Sequence, residues 1–127
     1  MKQAKLAFTF AAAIALGAGA AQGLHAQTAK LAPAYLVAEI QVTDQAGYQA
    51  YLKKAIESLK PYHARVIARG KPEVVEGAAA QGNALIVEFP TMADAMKWYS
   101  TPPYKDLIAE RQKSAKSRLY FLDGVPQ

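Results

Sequence analysis

The sequence predicts an α+β domain in which strands and helices follow one another in the order β-α-β-β-α-β. Three observations lead to this prediction. Apolar and polar residues alternate along residues 35–42, which is the period of a strand with two distinct faces. Apolar residues recur at helical spacing from Tyr48 to Leu59 and again after Pro90. Prolines and glycines stand where these patterns stop, as expected between elements.

The first half of the domain contains a strand, a helix and a second strand. After the first strand, Thr43 or Asp44 can act as the N-cap of a helix, and Pro61 ends that helix. Residues 63–69 form the second predicted strand, which the Gly70 turn closes.

The second half of the domain begins after a loop of small residues and repeats the pattern. Residues 84–89 form the third predicted strand. Thr91 and Asp94 have the spacing of a capping box, so they predict the start of the second helix. A further helical segment over residues 104–115 precedes a last strand at residues 118–122. The four residues at helical spacing that form the predicted apolar stripe of the second helix are Met92, Ala95, Met96 and Tyr99.

This order of elements is that of the ferredoxin-like fold, an antiparallel four-stranded sheet with helices on one face. Strand alternation predicts which side chains pack under the helices, namely Leu36, Ala38, Ile40, Val42, Val66, Ala68, Leu85, Val87 and Phe89. The opposite side of the sheet, called the open face below, is predicted to carry Tyr35, Val37, Glu39, His63, Arg65, Ile67, Arg69, Ala84, Ile86 and Glu88. An open face with this much apolar surface is expected to be covered, and a homodimer through two such faces would cover it.

The N-terminal region has the pattern of a secretory signal peptide. Lys2 and Lys5 precede an apolar run over residues 6–16, and small residues follow. Cleavage is expected after Ala26, with Ala20 as the alternative. The apolar run is short for a membrane span, so we expect no stable span after cleavage, and a location in the bacterial periplasm.

Domain organisation follows from that pattern: residues 1–26 form the signal peptide, 27–33 a linker and 34–127 the folded domain.

The chain has 15 basic and 10 acidic residues, and loss of the signal peptide removes two lysines, which leaves 13 and 10. That excess is too small to indicate a nucleic-acid partner. The densest basic stretch is expected to be a solvated surface, and its members are Arg111, Lys113, Lys116 and Arg118. The chain has no cysteine, which excludes disulfides and cysteine-based metal sites.

An ordered set of short segments resembles the domain of unknown function 1330 family, over about residues 34–124. These segments are Tyr35–Ile40, Asp44 with Tyr48 and Tyr51, Arg69-Gly70, Val75-Glu76-Gly77, Val87–Pro90, Trp98-Tyr99-Ser100 with Tyr104, and Arg118-Leu119 with Asp123-Gly124. The resemblance implies a ferredoxin-like subunit and a dimeric α/β barrel, and it implies no established reaction. The wider superfamily includes cofactor-free monooxygenases, haem-handling enzymes and binding proteins, so the fold leaves the function open.

Charged residues on the open face are the first candidate site. Glu39 and Glu88 lie on adjacent strands, and Arg65 and Arg69 lie on the strand beside them. Two interpretations stay open: a buried ion-pair network that fixes the dimer, or a pocket where arginines hold a small acid and a carboxylate moves a proton. His63 is a third catalytic candidate, because histidine titrates near neutral pH.

Aromatic residues supply the rest of the candidate ligand site. Tyr35, Arg65, Arg69, Trp98 and Tyr104 are the predicted ligand-binding residues, and core packing is the alternative role for the aromatic ones. No cofactor or metal is predicted. His63 is the one histidine that remains after the expected cleavage, and it cannot form a metal site alone.

Three functional hypotheses follow from these patterns. The first is a homodimeric barrel that binds a small acidic or aromatic molecule. The second is a cofactor-independent enzyme of the monooxygenase or isomerase kind that uses Glu39 or Glu88 with Arg65 and Arg69. The third is a structural or interaction dimer without a ligand. Whether the protein is an enzyme stays open at this point, because no nucleophile triad, phosphate loop or dinucleotide motif is present.

Overall fold

Four strands and three α-helices make up the computed structural model, which describes residues 31–127. The elements are β1 (Ala34–Val42), α1 (Gln45–Leu59), a short 3-10 turn (Lys60–Tyr62), β2 (Arg65–Gly70), β3 (Asn83–Phe89), α2 (Met92–Ser100), α3 (Tyr104–Ser114) and β4 (Ala115–Asp123). The predicted signal peptide and most of the predicted linker lie outside the described residues.

The strands form one antiparallel sheet in the order β2-β3-β1-β4, so β1 and β3 are central and β2 and β4 are edges. This is the ferredoxin-like α+β arrangement, and it confirms the fold predicted from the order of elements. No helix among the described residues is long and apolar enough to cross a membrane.

Side-chain caps fix where two of the helices begin. The Asp44 carboxylate accepts a hydrogen bond from the Gly47 N–H at 3.1 Å, which starts α1. The Thr91 hydroxyl accepts from the Asp94 N–H at 3.1 Å and donates to the Asp94 carboxylate, which starts α2. Both predicted helix starts are therefore confirmed.

The core lies between the sheet and the helices. Leu36, Ala38 and Ile40 are buried on β1, and Val87 and Phe89 are buried on β3, which confirms the predicted helix-covered face of the central strands.

The buried stripe of α2 differs from the predicted one. Met96 is 54% exposed, whereas Trp98 is buried beside Ala95. The Trp98 ring stacks on Tyr104 with the ring centroids 3.8 Å apart, and it also lies 5.4 Å from Phe89. Burial of this large ring turns α2 so that Met96, on the far side of the helix, meets solvent. The prediction that Met96 belongs to the core is wrong.

A register shift in β2 overturns the predicted direction of two side chains. Arg65 pairs with Glu88 on the open face, but Ile67 has no partner in β3. After this bulge Ala68 pairs with Ile86, and Arg69 pairs with Leu85. Because one extra residue reverses the alternation, Arg69 lies on the helix-covered face with Leu85, and Ala68 lies on the open face. The predictions for both residues are wrong.

Candidate functional site

Two exposed ion pairs hold the two glutamates of the open face. Arg118 Nε lies 2.8 Å from a Glu39 carboxylate oxygen, and Arg65 Nε lies 3.3 Å from a Glu88 carboxylate oxygen. Both arginine side chains are largely exposed, and Arg69 is on the other face. The predicted cluster of Glu39, Glu88, Arg65 and Arg69 is therefore not assembled in the protomer, and the basic partner of Glu39 is Arg118. Exposed pairs of this kind contribute little to stability.

Tyr35 adds one long contact to this face. Its hydroxyl donates to the Glu88 carboxylate at 3.5 Å, near the limit for a hydrogen bond. Much of the rest of the open face is apolar, with Tyr120 and Leu122 of β4 exposed there, while Gln41 and Lys116 add polar groups at one end.

The open face also borders a groove of about 820 Å³ beneath the loop between β2 and β3. Glu39 and Arg118 line that groove and bind each other, so no free charge of theirs is available to a ligand.

His63 stands apart from both faces of the sheet. It is exposed in a left-handed conformation with a φ of 53°, at the end of the 3-10 turn. Its backbone N–H donates to the Lys60 carbonyl, so its part in the structure is to close the turn. His63 lines neither the groove on the open face nor the cleft described next.

A cleft with two parts lies on the helix-covered side, between α1 and the sheet. The outer part has a volume of about 270 Å³, with Gln49 and Arg69 among the residues around it. The inner part is a chamber of about 30 Å³, deeper in the core. The two parts share a wall formed by Ile40, Tyr48, Leu52 and Leu85. These two parts together are called the helix-side cleft below.

Aromatic side chains form much of the inner chamber. The Tyr51 and Tyr104 hydroxyls lie 2.6 Å apart and form a hydrogen bond. Trp98 stacks on Tyr104, and its indole N–H donates to the Ser58 hydroxyl at 2.9 Å. Trp98 and Tyr104 are thus brought together here, whereas Tyr35 and Arg65 lie on the opposite side of the sheet.

The turn before α3 places Tyr104 in this chamber. The Thr101 hydroxyl is hydrogen-bonded to Tyr62 and donates to the Lys97 carbonyl, and the Lys105 N–H donates to the Thr101 carbonyl. Tyr104 follows directly, and it is almost completely buried. The proline-containing turn, whose role the sequence does not explain, therefore carries a wall residue of the cleft.

Arg111 also belongs to this site, although the sequence pattern predicts it to lie at the surface. The sequence predicts it as part of a solvated basic stretch, but its side chain lines the inner chamber and only 5% of the residue is exposed. One guanidinium nitrogen donates to the Ser117 hydroxyl, while Nε has no hydrogen-bond partner among residues 31–127. A sequence signal for its burial does exist: Arg111 lies at helical spacing from Tyr104 and Leu107, on the same face of the helix.

Backbone hydrogen bonds hold this end of α3 in position. The N–H groups of Thr43 and Asp44 both donate to the Ser114 carbonyl, at 2.8 and 3.0 Å. The start of α1 is therefore attached to the last turn of α3, three residues beyond Arg111.

Burial keeps the tyrosines of the cleft neutral. It is the largest cause that raises the pKa of Tyr48, Tyr51 and Tyr104 above the ordinary tyrosine value. The Arg111 guanidinium acts in the opposite direction on all three and Arg69 does so on Tyr48, but burial outweighs both. At neutral pH these phenols are hydrogen-bond donors without charge.

We expect stability to fall at alkaline pH because of these tyrosines. Unfolded tyrosine ionises near pH 10, whereas the folded protein keeps the phenols protonated, so the unfolded state binds fewer protons above that pH. Stability that is present below pH 10 is then lost, by up to about 1.4 kcal/mol per pH unit for each tyrosine. Urea unfolding between pH 9 and pH 11 measures this slope. Tyr51→Phe should reduce this slope, and a slope equal to that of the wild-type protein would contradict the assignment.

Among residues 31–127, no three His, Cys, Asp or Glu side chains lie close enough together to hold a metal ion.

Solved structures similar to this one share its fold at low sequence identity. A protein of unknown function, RPA0582 from Rhodopseudomonas palustris, is 18% identical with a TM-score of 0.61, covering 83% of this chain and 94% of its own. SnoaB, a cofactor-independent oxygenase from Streptomyces nogalater, is 5% identical with a TM-score of 0.54, covering 76% and 96%. Rv0793 from Mycobacterium tuberculosis is 12% identical with a TM-score of 0.50, covering 75% and 95%. At these identities the likeness shows the fold alone.

Sequence comparison identifies the family of the chain. No curated protein matches it. The family model described as "Domain of unknown function (DUF1330)" matches residues 33–125, which is most of the chain and nearly all of the described fold. The segments that resemble this family lie on or beside β1, α1, β2, β3, α2, α3 and β4 and in the loop between β2 and β3. The chain therefore belongs to the domain of unknown function 1330 family.

Proposed function

We propose that the protein is a homodimeric barrel in which each protomer binds a small organic molecule in the helix-side cleft. The observation that carries this proposal is the cleft itself. It has an outer part of about 270 Å³ and an inner chamber that a buried guanidinium and buried phenols line. Pockets for small molecules commonly combine apolar walls with a few polar groups that converge on the ligand.

The dimer is proposed from the open face. Val37 lies at its centre, between Ile86 of β3 and Tyr120 of β4, and Leu122 is 51% exposed beside them. Both carboxylates of this face, Glu39 and Glu88, already form ion pairs within one protomer, so a second sheet could cover the face without stranding a lone carboxylate. A second copy of the chain supplies a sheet of the same shape and character.

Val37→Glu is expected to convert the dimer to a monomer, because it places an unpaired charge at the centre of the proposed interface. Sedimentation velocity at micromolar concentration measures the change in mass. Ala50→Glu, on the exposed surface of α1, is the matched control and should stay dimeric. A wild-type protein that sediments as a monomer would contradict the dimer.

Ligand binding is tested separately from dimerisation. A panel of small neutral and acidic molecules can be screened by ligand-observed NMR against the mature chain. Leu52 lines both parts of the cleft, so the larger side chain of Leu52→Trp should occupy the space of the ligand. This variant is expected to abolish the NMR binding signals of true ligands. Lys53→Trp, exposed on the same helix, is the matched control. If no binder depends on Leu52, the dimer is structural and the cleft is not its ligand site.

The predicted signal peptide supports a periplasmic location for this binding function. Fractionation of a bacterium that expresses the full chain tests it, with the mature protein expected in the periplasmic fraction. A full-length protein in the cytosol would contradict it.

A further inference from the structure

The chemical class of the ligand can be inferred from Arg111, the one charged side chain among residues 31–127 that lines the inner chamber. We propose that the helix-side cleft takes a small organic carboxylate with an apolar body, and that one carboxylate oxygen contacts Arg111 in the inner chamber. This inference rests on the proposed binding function and deepens it.

Arg111 carries a buried positive charge that no acidic side chain among residues 31–127 compensates. An arginine stays protonated at physiological pH, and a buried charge without a counter-charge is costly. None of the ion pairs among residues 31–127 includes Arg111. Its neighbour Ser117 is a neutral hydroxyl, and Nε has no partner at all in the described part of the chain. An anion in the chamber would compensate the guanidinium directly.

The phenols of the chamber do not supply the anion that would compensate Arg111. Tyr51 and Tyr104 share a hydrogen bond in the chamber, and burial keeps their hydroxyls protonated. The Tyr104 hydroxyl is within hydrogen-bonding reach of Arg111, but a neutral phenol carries no charge that compensates the cation, and it can donate a hydrogen bond to a carboxylate. A bound carboxylate would supply the negative charge that the residues around Arg111 do not provide.

The size and polarity of the space also fit a small organic carboxylate. A chamber of about 30 Å³ has room for one water-sized group, which suits a single carboxylate oxygen better than a tetrahedral phosphate. The walls toward the outer part are the apolar side chains of Ile40, Leu52 and Leu85, so the body of the ligand should be apolar. Arg69 lies at the outer part, where it can attract an anion from solution.

The test compares two probes of the same shape, hexanoate and hexanamide, by calorimetric titration of the wild-type protein and its variants. We expect hexanoate to bind at least tenfold more tightly than hexanamide. Arg111→Met should remove this preference, and Arg111→Lys, which keeps a cation, should retain part of it. Lys54→Met, exposed on α1 outside the cleft, is the matched control and should leave both affinities unchanged. Circular dichroism confirms that each variant is folded.

The outcomes separate this inference from the proposed function. If both probes bind equally well and both need Leu52, the cleft is a binding site and the carboxylate class is overturned. If hexanoate is preferred and Arg111→Met keeps that preference, the assignment to Arg111 is overturned. If neither probe binds, the cleft fails as a site for molecules of this size, and the inference falls with it.

Discussion

Arg111→Met is expected to raise the free energy of unfolding by about 1–3 kcal/mol, because it replaces a buried cation that has no counter-charge with an apolar side chain of similar length. The Ser117 hydroxyl that loses its partner is half-buried and can reach water. Urea denaturation at neutral pH measures the change. A gain of stability together with a loss of hexanoate binding is the signature of a residue kept for its ligand.

Lys54→Met is the matched control for that experiment. Lys54 is exposed and pairs with Glu110 on the helix surface, away from the open face, so its loss should change stability by less than about 0.5 kcal/mol. Should Arg111→Met instead destabilise the protein by several kcal/mol, the guanidinium would be a structural support and not an uncompensated charge.

Gly82→Ala is expected to destabilise the protein by about 3 kcal/mol or more. Gly82 has a φ of +79°, and a Cβ at this position would lie 2.0 Å from the Ile40 carbonyl oxygen. The contact is with the backbone of β1, which cannot move aside without breaking the sheet. Thermal or urea unfolding of the purified variant measures the loss.

Gly77→Ala separates the steric contact from the backbone conformation. Gly77 also has a positive φ, of +94°, but no atom lies within 4 Å of the position that an alanine methyl group would take. Only the conformational cost of about 1 kcal/mol is therefore expected. Equal losses for the two substitutions would show that the close approach of Gly82 to Ile40 is absent in solution.

Local signals explain why the fold could be predicted. The alternation along β1 determines which side chains face the helices, and Asp44 and Thr91 cap helices where capping residues are expected. These features depend on residues close together in the chain. The antiparallel pairing then follows from the order of elements.

The direction of Arg69 could not be predicted, because it depends on a partner strand distant in the sequence. Val66, Ile67 and Ala68 are three consecutive apolar residues, so the pattern of residues 63–69 does not show where the bulge at Ile67 lies. Once the register shifts, every later residue of β2 faces the other way. The candidate residues therefore separate into two groups, with Arg65 on the open face and Arg69 at the helix-side cleft.

The burial of Arg111 could not be predicted for a different reason. Its helical spacing with Tyr104 and Leu107 is visible in the sequence, but an arginine within a basic stretch is ordinarily a surface residue. Its burial results from the packing of α3 against α1 and the sheet, and from the Ser114 carbonyl that anchors the end of α3. Composition alone therefore places the central charged residue of the proposed site in the wrong environment.

The most direct test of the central claim is the NMR signal of the Arg111 Nε–H group during titration with hexanoate. In the free protein this group has no hydrogen-bond partner among the described residues. We predict a large downfield proton shift of this signal on binding, with the Nε–H signals of Arg65 and Arg118 unchanged. A titration that shifts the signals of Arg65 or Arg118 and leaves that of Arg111 in place would contradict the claim and locate the anion on the open face.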